Sequence, residues 1–146
     1  MKNSTPAKDE MLLHASAVSF AGNGVLILGP AGSGKSSLAL VLMAFGADLV
    51  ADDRTLLKRE AGQILAYCPE TIFGKIEARF VGILNASSTE HSSISLVVDR
   101  GLPETKRLPP KRTIKLLGES LPLLHNSETF QLAAAIVQYL KKGRSS

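Results

Sequence analysis

The chain has 146 residues, 45% hydrophobic and 21% charged, with a net charge of +4. That length suits one domain with a real core, because roughly 68–70% of the unfolded surface is buried at such a size. No apolar run reaches the ~18 residues a membrane span needs, the polar start MKNSTPAKDE lacks a signal-peptide core, and the single Cys68 has no partner thiol, so a cytoplasmic location is expected.

In chain order, residues 1–10 read as a flexible tail. Residues 12–20, LLHASAVSF, alternate as a strand does, and AGNG supplies a hairpin-type turn. The continuous apolar run VLILG (25–29) predicts a strand buried on both faces. Ser37 to Phe45 predicts an apolar helix closed by Gly46, followed by a short strand, Leu49 to Ala51, that runs into Asp52 and Asp53. TLLKRE and QILAY, split by AGQ, predict a hairpin. Within PETIFGKIEARFVGIL a short helix or turn is expected near 70–78 and a strand over 79–84. NASSTEHSS reads as a polar loop, ISLVVD as a strand, and TIKLL and LPLL as short strands. A helix is expected from about Glu128 to Lys142, capped by Ser127, with Phe130, Ala133, Ile136, Val137 and Leu140 on one face. With no repeat and no linker, the pattern predicts one α/β domain spanning 1–146.

The charge is uneven. Residues 103–115 hold five basic residues and one acid, which leaves the rest of the chain balanced at twelve and twelve. Such a stretch is either a solvated loop or a surface for phosphate or an acidic partner. Without interleaved aromatics, a nucleic-acid surface over the 106–115 basic run is the weakest of the readings.

Residues 29–36, GPAGSGKS, match G-x-x-x-x-G-K-[ST] between an expected strand and an expected helix. Glycines let successive backbone N–H groups curl toward one phosphate, and the helix N-terminus adds its dipole. Lys35 reaches the β/γ-phosphates, and the Ser36 hydroxyl suits Mg²⁺. The nucleotide-binding run is thus Gly29, Pro30, Ala31, Gly32, Ser33, Gly34, Lys35, Ser36 and the adjoining Ser37.

Asp52 and Asp53 follow Lys35 closely and admit three readings: a polar turn, a Mg²⁺ contact, or a base for an attacking hydroxyl. If 25–28 and 49–51 are neighbouring parallel strands, the pair lies beside the phosphate loop. Glu77 and Arg79 share a face if extended, so one could complete a Mg²⁺ site and the other steady phosphoryl charge. Taken alone they are also ordinary surface ion-pair material. His14, in an apolar alternating stretch, reads first as a structural histidine, and His91 and His125 as surface residues.

The stretch from Leu13 to Thr55, with its histidine, glycine-rich loop and LVADD run, resembles the catalytic domain of HPr kinase/phosphorylase. KIEARFVGIL is similar to that family's signature, and the match is loose beyond residue 93. The resemblance implies an α/β P-loop kinase domain with a mixed, largely buried sheet and flanking helices, without the family's separate N-terminal domain. It implies ATP and Mg²⁺ as cofactors and HPr as the phosphorylated partner. It casts Asp53 as proton acceptor, Asp52 as its helper, Ser36 and Glu77 as metal contacts, and His14, Lys35, Arg79 and Arg107 as active-site residues. Ser37 stands where the family has Glu, and LPLLHNSETF where it has a Pro- and Arg-rich stretch, so phosphorolysis and the family's hexamer are not carried over. Another small P-loop kinase or ATPase, or a nucleotide-sensing module, are the alternatives.

Overall fold

A computed structural model describes residues 9–69 and 72–146. The strands are β1 (Glu10–Leu13), β2 (Ser16–Phe20), β3 (Asn23–Leu28), β4 (Asp48–Ala51), β5 (Thr55–Glu60), β6 (Gln63–Tyr67), β7 (Lys75–Ala78), β8 (Gly82–Asn85), β9 (His91–Pro103), β10 (Arg112–Leu116) and β11 (Glu119–Asn126). The helices are α1 (Lys35–Ala44) and α2 (Thr129–Lys142).

One mixed sheet runs β1-β5-β6-β9-β3-β2-β4, and the β10–β11 hairpin joins it where β11 pairs with β9. The long β9 organises it. Its start pairs antiparallel with β6, its middle parallel with β3, and its later half parallel with β11. The run 25–29, expected to be buried on both faces, is so from Val25 to Ile27. Val25, Ile27, Leu96 and Val98 point toward Leu38 and Leu42 of α1 and Ala133 and Ile136 of α2. Leu26 and Val97, one residue out of phase, enter a second core with Val50, Leu57 and Ile64. The first face is covered by helices and the second by the sheet's own outer strands. Leu26, Ile27, Leu38 and Leu42 are fully buried, each side chain contributing about 1.5–3 kcal/mol relative to exposure.

Three hairpins turn on a residue–glycine pair with positive φ at both positions: Ala21-Gly22, Ala61-Gly62 and Leu117-Gly118. This is the backbone that a two-residue loop needs to match strand twist. The first of them puts β2 against β3, and it corrects an expectation. β3 and β4 are not neighbours, because β2 lies between them, antiparallel to both. β3 and β4 therefore still run in the same direction, and their C-terminal ends reach the same edge of the sheet.

Other local expectations also change. Residues 12–20 form two strands, since β1 pairs with β5 while β2 pairs with β3 and β4, and the chain bends at His14 between them. Of the expected tail, 1–8 lie outside the described residues. Glu10 is already in β1, and Asp9 pairs with Arg59 at 2.7 Å. Residues 79–81 form a turn instead of a strand, closed by Val81 N–H donating to the Ala78 carbonyl at 2.9 Å, and Lys75–Ala78 supplies the strand before it. The resulting β7–β8 hairpin leaves Phe80, Val81 and Ile83 exposed. Glu128, not Ser127, caps α2, its carboxylate accepting from the N–H groups of Phe130 and Gln131. Those bonds hold the Glu128 carboxyl below its ordinary range. Phe130 is exposed and meets the Phe45 ring, centroids 5.7 Å apart, while Leu132 joins Ala133 and Ile136 in the core. Among the described residues no helix is long and apolar enough to cross a membrane.

Candidate active site

The phosphate loop leaves β3 at its C-terminal end and feeds α1. Gly29 takes φ 147, which favours glycine, and a Cβ there would stand 2.4 Å from Ser33 Oγ and displace that hydroxyl. Gly34, at φ 91, is the N-cap of α1 and supplies no side chain to it; the first turn holds no acidic residue. The positive end of the helix is therefore not neutralised from within. Lys35 is buried, and its ammonium donates to the carbonyls of Gly29 and Pro30 at 2.8 and 3.1 Å, clasping the loop from inside.

The two acids at the end of β4 have separate partners. Asp52 is 7% exposed. Its Oδ1 accepts from Ser36 Oγ at 2.6 Å and Ser16 Oγ at 2.9 Å, and its Oδ2 from the Glu77 N–H at 3.1 Å. It is thus bonded to the phosphate loop, to β2 and to β7 at once. The Ser36 proton is directed down to this carboxylate, which leaves the lone pairs of its oxygen for a cation above. Asp53 is exposed, adopts φ 69, and has its Oδ1 2.5 Å from His14 Nε2. The bend between β1 and β2 carries that histidine to the rim.

These parts face one cavity of about 200 Å³, lined by His14, Ala31, Gly32, Gly34, Lys35, Ser36, Ser37, Asp53, Glu77 and Arg79. Glu77 and Arg79 do reach it together, although Arg79 lies just beyond the end of β7. Gly29, Pro30, Ser33 and Asp52, expected at the site, do not line it; Asp52 is bonded to Ser36, which does. Arg107 does not line it and is exposed in the segment after β9. His91 is exposed and stacks edge-on to Tyr67, and Cys68 is half-buried, its thiol pushed up by burial. In the basic stretch, Arg112 is paired with Glu104 at 3.1 Å.

Two residues that local pattern did not single out hold the site. Ser16, fully buried, contacts both acids. Arg100, 9% exposed, donates from Nε to the Ser33 carbonyl at 3.2 Å and from Nη2 to Thr129 Oγ1 at 2.8 Å. It ties the phosphate loop to the start of α2. Burial lowers its pKa from the usual arginine value, opposed by the nearby Glu128 carboxylate. A buried hydroxyl within an apolar strand, and a basic residue at the end of the strand beside a phosphate loop, were the available signals.

As a cation site the donors are hard oxygens: the Ser36 hydroxyl and the Glu77 carboxylate, with Asp52 beneath. Among the described residues no group of three or more His, Cys, Asp or Glu forms a ligand cage. That set fits Mg²⁺, which keeps several waters and takes its remaining ligands from phosphate oxygens.

Residues 7–99 match the family model of the HPr serine kinase C-terminal domain. Similar relatives are HPr kinase/phosphorylases. That of Malacoplasma penetrans is 31% identical over 75% of this chain and 37% of its own length, and that of Brevibacillus brevis 33% over 77% and 40%. That of an Azoarcus species is 44% identical over 53% of this chain and 25% of its own. The chain thus spans about two fifths or less of each of these relatives. Among solved structures, the Hpr(Ser) kinase/phosphatase of Coxiella burnetii superposes with a TM-score of 0.76 at 27% identity, covering 90% of this chain and 94% of that one.

Proposed function

The chain belongs to the HPr serine kinase C-terminal domain family, and from that premise we propose that it is an ATP- and Mg²⁺-dependent kinase that phosphorylates a serine of HPr. The observation that carries this reading is the arrangement around one cavity. Lys35 and the uncapped end of α1 face it, Ser36 is oriented by Asp52, and Asp53 stands at its rim against His14. Its volume of about 200 Å³ is below the ~300–1,000 Å³ that encloses a whole small ligand, so it suits the phosphate end of a nucleotide.

In this mechanism the loop N–H groups and Lys35 hold the β- and γ-phosphates of ATP. Ser36 and Glu77 would hold Mg²⁺, with Asp52 fixing the Ser36 hydroxyl. Mg²⁺ held there would supply positive charge to offset the charge that develops on the phosphates. Asp53 takes the proton of the acceptor serine, whose oxygen forms the new bond to the γ-phosphorus as the bond to the β-phosphate oxygen breaks. His14 orients Asp53 by direct contact. Arg79 is assigned the charge on the transferring group, and Arg107, outside the cavity, receives no catalytic role. We place the reaction in the cytoplasm, where the lone Cys68 thiol stays reduced.

The test is transfer from γ-labelled ATP with Mg²⁺ to HPr. The expected result is label on an HPr serine, with Asp53→Asn lowering kcat about 10²–10⁴-fold while ATP binding persists. Absence of transfer with ATP binding intact would refute the kinase reading. Inorganic phosphate added to seryl-phosphorylated HPr tests phosphorolysis separately.

A further inference from the structure

The buried hydroxyl of Ser16 has an unusual pair of neighbours. Its Oγ lies 2.9 Å from Asp52 Oδ1 and 3.1 Å from the backbone nitrogen of Asp53. The directions of these bonds leave no ambiguity. A carboxylate accepts and an amide N–H donates, so the single hydroxyl proton goes to Asp52 and an oxygen lone pair takes the Asp53 N–H. Ser16 is 0% exposed, so no water competes for either bond. Its place is fixed by register: Ser16 pairs with Ile27 of β3, and the next residue, Ala17, pairs with Ala51 of β4. Between Ala17 and Val18 the pairing of β2 with β4 shifts, so the end of β4 beside Ser16 departs from regular ladder geometry.

At that end Asp53 stands at φ 69, a left-handed backbone that a non-glycine residue seldom adopts without a local partner. The Ser16 oxygen is such a partner. The same conformation accompanies the approach of the Asp53 carboxylate to His14, while Asp52 remains below with Ser36. One oxygen atom therefore holds two consecutive acids that serve different elements, Asp52 the phosphate loop and Asp53 the cavity rim.

We propose that Ser16 is the positioning residue that separates the two acids into a loop-orienting carboxylate and a rim carboxylate, by bonding Asp52 and the Asp53 amide at once. Its consequence for turnover rests on the kinase reading, whereas its consequence for the Asp53 backbone does not. Without the hydroxyl, Asp52 loses one of its three donors and the Asp53 N–H loses its acceptor. The rim carboxylate is then no longer fixed relative to the acceptor serine, and a displacement of about 1 Å at a reacting group costs on the order of 10²-fold in rate.

The experiment compares wild type, S16A and S16T in two measurements, amide hydrogen exchange at Asp53 by NMR and kcat for phosphate transfer to HPr. For S16A the Asp53 amide is expected to exchange at least about tenfold faster and kcat to fall about 10–100-fold, with the ATP dissociation constant within about twofold. S16T, which restores the hydroxyl, recovers both. If S16A does not fold by circular dichroism, S16C, close in size but a weak donor, takes its place. Exchange at Asp53 unchanged in the folded variant, or kcat within about threefold of wild type, overturns the proposal. A wild type inactive on HPr overturns the kinase reading instead, and the exchange measurement alone then decides on Ser16.

Discussion

Replacing Arg100 with Met tests whether its buried guanidinium holds the site together or burdens it. The substitution keeps most of the aliphatic stem and removes two charge-assisted hydrogen bonds, to the Ser33 carbonyl at 3.2 Å and to Thr129 Oγ1 at 2.8 Å. Bonds to charged groups contribute about 1.5–3 kcal/mol each, giving roughly 3–6 kcal/mol of loss. Two terms oppose it. Burial disfavours the charged form, and Nη1 is enclosed without a hydrogen-bond partner, a buried orphan that costs about 1–3 kcal/mol. The net expectation is a destabilisation of about 2 kcal/mol, read as a lowered urea midpoint at unchanged m-value. Freeing the Ser33 carbonyl also loosens the loop, so the affinity for a fluorescent ATP analogue should fall about 3–10-fold, on the order of 1 kcal/mol. An R100M protein as stable as wild type would refute the reasoning, because it would mean that desolvation cancels both bonds.

Lys35→Ala should weaken ATP binding at least about tenfold by calorimetry, and unchanged affinity would sink the phosphate-loop assignment. Glu128 gives a pH prediction. Its carboxyl is held below the ordinary value of 4.5 by the Phe130 and then the Gln131 N–H groups, so its stabilisation is present above that value. It is lost as pH falls through the lower folded-state value. The gap in urea midpoint between wild type and E128Q should therefore be open at pH 7 and close as pH falls through that lowered value, and a gap independent of pH would contradict the cap.

The glycine-rich loop and its place between β3 and α1 could be read directly because its glycines, lysine and serine are contiguous. The acids were legible for the same reason: two adjacent charges at the end of an apolar run demand an explanation. What remained hidden depends on partners far away in sequence. Nothing local to 49–53 reveals that β2 comes between β3 and β4, since that follows from the Ala21-Gly22 turn delivering β2 to the edge of β3 first. Ser16 resembled a tolerated polar residue in a strand until its contacts to residues 52 and 53 were visible. Arg100 and Arg107 both follow the ISLVVD run, and only the pairing of Leu28 with Asp99 puts the first of them under the loop. The third hairpin is hidden because Leu117 reads as the last residue of the apolar run TIKLL, although it forms the turn with Gly118. Phe130 was assigned to the core by periodicity, yet Phe45 at the end of α1 offered a closer partner at the surface.

The place of β9 also fixes when during synthesis the site can exist. Strand β3, which carries the phosphate loop, has only β2 beside it until residues 91–103 are made, and the Arg100 contact arrives with them. At about 5–20 residues per second, the interval between Leu28 and Pro103 is roughly 4–15 s. Over that time the sequence of the loop is complete while its sheet is open on one side, with Val25, Leu26 and Ile27 uncovered along the β9 edge. Parallel pairing of distant segments is intrinsically slow to form, so this interval is where the nascent chain is most exposed to wrong partners. A ribosome-bound chain arrested before His91 should not retain nucleotide, and one extended beyond α2 should. The loop proposed to hold phosphate is written early in the chain, and the sheet that supports it is completed late.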